Sequence, residues 1–123
     1  MPSFIHDIKD KARENTYFRQ VLSTGEHTQI VVMNITVGED IGEETHPDTD
    51  QVLYFVDGEG KAILNGEEIN FEEDDIFLVK AGTKHNFINT GDEDLKIITA
   101  YSPPHHPDGT IHKTKADAAA ANY

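Results

Sequence analysis

From residue 27 onward, apolar and β-branched residues come in short runs, each cut off by Gly, Pro, Asn or Asp, which predicts strands and not helices. The first run is 30–37. Residues 52–56 precede the turn Asp57-Gly58-Glu59-Gly60, and 61–64 lead into Asn65-Gly66, a pair favoured in two-residue hairpin turns. Residues 67–71 then form the returning strand. Three more runs, 76–79, 84–88 and 95–101, lie on either side of Thr90-Gly91-Asp92 and follow the acidic run 72–75. Strands at this spacing predict a sandwich or a small barrel. The two ends differ from the middle. Residues 5–15 are charged and read as a short helix, while 103–123 hold Pro-Pro, Asp-Gly and an Ala-rich tail. The predicted organisation is an N-terminal arm over 1–26, a barrel over 27–102 and a C-terminal arm over 103–123. The last is expected to pack on the barrel or on a second subunit and to end in a frayed tail.

Composition narrows the function. A chain of 123 residues with 37% hydrophobic positions suits one modest core, which also gains from a subunit interface. The balance of 10 basic against 23 acidic side chains, a net charge of −13, disfavours nucleic acid and anionic membranes as partners. With no Cys, disulfides, thiolate zinc sites and thiol nucleophiles are excluded, so any metal takes N and O ligands. Residues 1–20 lack the apolar stretch of a signal peptide or membrane helix, and the expected location is cytoplasmic.

Candidate chemistry concentrates in two stretches. Residues 38–58 contain Gly38, Glu44, His46, Gln51 and Gly58, and residues 74–89 contain Asp74, Lys80, Gly82, His85 and Asn89. The first resembles the first motif of the cupin family, Gly, five residues, His-x-His, three or four residues, Glu, six residues, Gly. Glu44 stands at the first His and Gln51 at the Glu. The second resembles the family's second motif, with Gly82, His85 and Asn89 matching, Asp74 in place of a Gly and Lys80 in place of a Pro. The resemblance implies an all-β fold, the cupin jelly-roll β-barrel or double-stranded β-helix. It also implies one divalent transition metal (Fe, Mn, Ni, Co or Zn) held by Glu44, His46, Gln51 and His85. Strand alternation is consistent with this, because Glu44 and His46 are two apart, as are His85, Phe87 and Asn89. The turn 47–50 can bring Gln51 back toward His46. The departures conserve charge, since one carboxylate remains in the shell. Two His and one carboxylate with open positions suit non-haem Fe(II), although the other four ions also fit.

Competing readings stand beside these. The barrel could have lost its metal and hold an organic ligand or nothing. Asp48 and Asp50 fit turn chemistry beside Pro47 better than metal binding, and the run 72–75 lacks the alternation of a calcium loop. Lys80 and Lys84 are either holders of a substrate carboxylate or phosphate, or ordinary loop lysines. His105, His106 and His112 read as part of a Pro-rich arm crossing a dimer interface, with a second metal site as the alternative. Phe55, Phe87, Tyr101 and Lys80 are the expected pocket wall.

The whole chain, including 101–117, is similar to small bacterial cupins grouped as mannose-6-phosphate-isomerase-like. That resemblance implies a metal-binding protein acting on a small polar organic ligand, in the manner of a sugar or sugar-phosphate isomerase. The alternatives are a non-haem-metal dioxygenase and a non-catalytic sugar or small-molecule binding barrel. No side chain stands out as the catalytic base. A homodimer is expected from the small core and the arms.

Overall fold

Alternation along each strand sorts side chains onto two faces, and the apolar faces of two antiparallel sheets close on one another. The computed structural model describes residues 4–121. In chain order the elements are α1 (Ile8–Glu14), β1 (Arg19–Thr24), β2 (Gln29–Ile35), β3 (Asp50–Asp57), β4 (Gly60–Leu64), β5 (Glu67–Phe71), β6 (Ile76–Val79), β7 (His85–Asn89), β8 (Leu95–Ser102), β9 (Ile111–His112) and α2 (Lys115–Ala121). One sheet runs β6-β3-β8-β2-β1-β9 and the other β5-β4-β7. This is the all-β jelly roll that the strand spacing and the two motifs predicted.

The turns are made by residues suited to them. Asn65 and Gly66 join β4 to β5 with φ of 50° and 84°, the left-handed pair of a two-residue hairpin. Gly58, after β3, has φ of 96°, and a Cβ there would lie 2.8 Å from Leu95 Cδ2. That position needs glycine for conformation and for space.

Inward positions change character along the strands. Phe55, Phe71, Phe77 and Phe87 pack ring on ring, with Phe55 and Phe71 stacked at 4.0 Å between centroids. Leu53, Leu95, Ile97, Met33 and Ile35 extend this core. The strand ends on the other side carry buried Gln29, Gln51, His85 and Thr99 instead, so the polar end of the barrel is where a site can form. Outside the larger sheet, α1 sets Ala12 against Val32 and Val56, and Arg13 pairs with Asp57 at 3.1 Å.

The ends of the chain differ from the sequence expectation. Part of each segment read as an arm is strand: β1 pairs with β2, with a register shift between Val21 and Ser23, and β9 pairs with β1. Residues 19–24 carry only two adjacent apolar side chains, so no alternation announces β1. The Ala-rich tail, expected to fray, is helical to Ala121. Alanine has the highest helix propensity, and Thr114 Oγ1 accepts from the Asp117 N–H at 3.1 Å, capping the first turn. Residues 122–123 of that expectation lie outside the described residues.

Candidate metal centre

The loop between β2 and β3 is pinned at two points. Glu44 and His85 exchange both backbone hydrogen bonds at 2.9 Å, which ties Glu44 to the start of β7. The Gly82 N–H donates to the His46 carbonyl at 2.8 Å, and the Ala81 N–H donates to Asp50 Oδ1 at 2.8 Å. Asp50 thus serves the turn, while Asp48 is exposed.

Beyond β8 the chain folds back over the barrel mouth, held by Gln29, which has 0% exposure. Gln29 Oε1 accepts from the N–H groups of His105 and His106 at 3.3 and 3.1 Å, and its Nε2 donates to the His106 carbonyl at 2.7 Å. This places the His105 ring 4.2 Å from that of His46, between centroids, and 5.7 Å from that of Tyr101.

The result is a cluster of Glu44, His46 and His105 whose candidate ligand atoms all lie within 4.8 Å of one another. Glu44 Oε2 and His46 Nε2 are 3.1 Å apart. Two ligands each about 2.1 Å from one ion, roughly at right angles, have this separation. The His85 ring is 5.3 Å from that of His46. Its Nδ1 lies 2.8 Å from the Thr83 carbonyl, which can only accept, so Nδ1 carries the proton and Nε2 keeps its lone pair. Gln51 Nε2 donates to Thr99 Oγ1 at 3.1 Å, and its buried Oε1 has no hydrogen-bond partner among the described residues. An orphaned oxygen on the residue paired in register with Tyr101, whose ring lies 6.0 Å from that of His46, suits a hard or borderline divalent ion.

Electrostatics keep these donors available. Burial would raise the Glu44 carboxyl, but the hydrogen bond to His46 and the electrostatic influence of His46, Arg19 and His85 outweigh it and hold the group below its usual range. Burial, aided by His46, lowers His85 and His105. His106 is pushed down to about 2, by burial first and by Arg19 next. Burial raises the Tyr101 hydroxyl, so it stays protonated and able to donate.

Of the residues expected at the site, the structure brings together Glu44, His46, His85 and Tyr101, with Gln51 one strand away, paired in register with Tyr101. Phe55 and Phe87 lie in the aromatic core below. Lys80 is exposed at the end of β6, and exposed Lys84 pairs with Glu43 at 3.4 Å. The arm that carries His105 folds onto its own barrel, one of the two placements expected for it, and brings His105 to the cluster in place of the interface role read from the sequence. The Tyr-Ser-Pro-Pro-His-His stretch directly after the last long strand was the available signal, because a turn there returns the chain to the mouth.

Residues 31–101 match the family described as Cupin domain. The chain belongs to the cupin family. This cupin is 44% identical over 124 residues to the uncharacterized protein YrkC of Bacillus subtilis, covering 96% of this chain and 67% of that protein. It is 31% identical over 71 residues to the tetracenomycin polyketide synthase protein TcmJ of Streptomyces glaucescens, covering 58% of this chain and 48% of TcmJ. Among solved structures, BH2720 of Bacillus halodurans superposes with a TM-score of 0.95 at 42% identity, over 97% of this chain and 95% of that one.

Proposed function

We propose that this cupin is a metal-dependent enzyme acting on a small polar molecule that binds through oxygen atoms. Glu44, His46 and His105 would hold one divalent transition ion, with His85 as a further donor and the Gln51 amide oxygen facing it. The supporting observation is the convergence of these three ligands within 4.8 Å. When bound, such an ion acts as a Lewis acid toward a carbonyl or hydroxyl oxygen, or, as iron, activates dioxygen.

The reaction class follows from what the residues leave over. An isomerase needs a separate base to move a proton, and Glu44 is taken up as a ligand. His106, held near a pKa of about 2, is too weak a base for that task. A phosphosugar dianion needs more than one cation, yet Lys80 is exposed and Lys84 is paired with Glu43, which leaves Arg19 as the one buried guanidinium near Glu44. Glu44, His46 and His105 include the two imidazoles and one carboxylate used by non-haem iron oxygenases, with His85 as an additional donor, and this reaction is the one we favour.

No described helix is long and apolar enough to cross a membrane. We also propose a cytoplasmic homodimer, supported by the absence of Cys and by exposed Ile76 and Leu78 on the edge strand β6. Light scattering at micromolar concentration tests the assembly, and a monomeric mass would refute it.

Elemental analysis of protein purified without chelators tests the function. About one equivalent of metal per chain is expected, lost in His46→Ala. Iron supports the oxygenase reading, and another ion would replace it with Lewis-acid chemistry. Failure to retain metal after reconstitution would overturn the enzyme reading in favour of a binding barrel.

A further inference from the structure

Arg19, on β1, is buried with 4% exposure. Its Nη1 lies 3.2 Å from His112 Nδ1, the guanidinium sits 5.1 Å from the Phe18 ring centroid, and Nε has no hydrogen-bond partner among the described residues. No carboxylate forms an ion pair with it among those residues. A guanidinium is always protonated and costly to bury without a counter-ion. In a chain of net charge −13, acidic residues abound, yet the one whose carboxyl feels this charge, Glu44, forms no ion pair with it.

Arg19 lines a cavity of about 260 Å³ together with Phe18, Ile41, Glu44, His106 and Lys115. Glu44 is therefore shared between the metal cluster and this cavity. Lys115 is spoken for, because it pairs with Asp40. A divalent ion on Glu44 would use that carboxylate's single negative charge, leaving positive charge on the ion and on Arg19 unmatched. His106 and His112, both lowered by burial and by Arg19, add no negative charge.

We propose that Arg19 is the anion subsite of the metal centre and that the ligand is a small carboxylate carrying an adjacent hydroxyl or keto oxygen. The carboxylate meets the guanidinium fork, which matches its planar geometry, while the neighbouring oxygen faces the ion. The small cavity limits the ligand to a few carbons beyond these groups. This rests on the metal reading above and adds the substrate's charge class and a residue outside both motifs.

The test is calorimetric titration of metal-loaded protein with glycolate and with its uncharged counterpart glycolamide, after the metal content has been measured. Glycolate is expected to bind wild type at least about tenfold more tightly than glycolamide. Arg19→Gln should remove that preference with metal content unchanged, and Arg19→Lys should retain part of it. Equal affinity for the two probes in wild type, or wild-type preference in a folded Arg19→Gln, would overturn the subsite. If Arg19→Gln does not fold, Arg19→Lys decides, and the full wild-type preference retained there would overturn the subsite. A wild-type protein that takes up no metal would instead overturn the metal reading, and the subsite with it, before any ligand is added.

Discussion

His46 Nε2 lies 3.1 Å from Glu44 Oε2, although neither residue belongs to a strand of either sheet. Two backbone anchors create the pair, Glu44 bridged to His85 and the His46 carbonyl held by Gly82. The loop between β2 and β3 is thereby as defined as a strand, and the two motifs meet through backbone before any metal is considered.

Glu44→Gln removes the carboxylate of the cluster and should weaken metal binding by about a hundredfold or more, since tuning groups outside the ligands alone shift affinity 10–100-fold. Gln51→Glu should weaken it far less, because a carboxylate oxygen can replace Gln51 Oε1, an acceptor with no partner among the described residues. Chelator-competition titration of both variants gives the order, and the reverse order would move the negative ligand from Glu44 to position 51.

His105→Ala tests whether the folded-back arm supplies a ligand or only a lid. Metal affinity should fall about tenfold or more, while the thermal midpoint of the metal-free protein stays close to wild type, because Gln29 holds the arm through backbone groups of 105 and 106. Unchanged affinity would leave His46 and His85 as the only imidazole ligands.

Acid should destabilise the metal-free protein. His85, His105, His106 and His112 all sit below the ordinary histidine value when folded, so the unfolded chain takes up protons first as pH falls below about 6.5. Glu44, also lowered, adds loss of stability in the same direction at lower pH. Thermal midpoints measured in chelator should drop steadily from pH 7 toward pH 4, and His106→Gln should flatten the upper part of that slope. A midpoint independent of pH over this range would contradict the burial of these imidazoles.

The two motif glycines should differ in cost. Gly38, with φ of 81°, has no atom within 4 Å of an added Cβ, so Gly38→Ala costs only backbone strain, about 1 kcal/mol. Gly58→Ala adds the contact with Leu95 to the strain and should cost about 2–3 kcal/mol. Urea unfolding measures both, and equal losses would mean that Leu95 moves aside freely.

Strand runs, the Asn65-Gly66 hairpin and the spacing of both motifs were legible because they depend on neighbours in sequence. Alternation reports a buried face, and a left-handed turn reports itself through Asn and Gly. The spacing of Glu44 and His46 was legible, but the anchors to His85 and Gly82 that create their pairing were not. β1 was not, since its pairing is supplied by β2 and β9 and not by its own apolar pattern.

What the amino-acid sequence determined alone is therefore the all-β architecture, the two motif segments and the ligand types available in them. Only the tertiary structure decided that His105 joins Glu44 and His46 and that Arg19 borders the same carboxylate. Both lie far in sequence from the loop they meet, one after β8 and one on β1. Their placement depends on Gln29 turning the arm inward and on β1 joining the larger sheet, long-range pairings that no local pattern encodes.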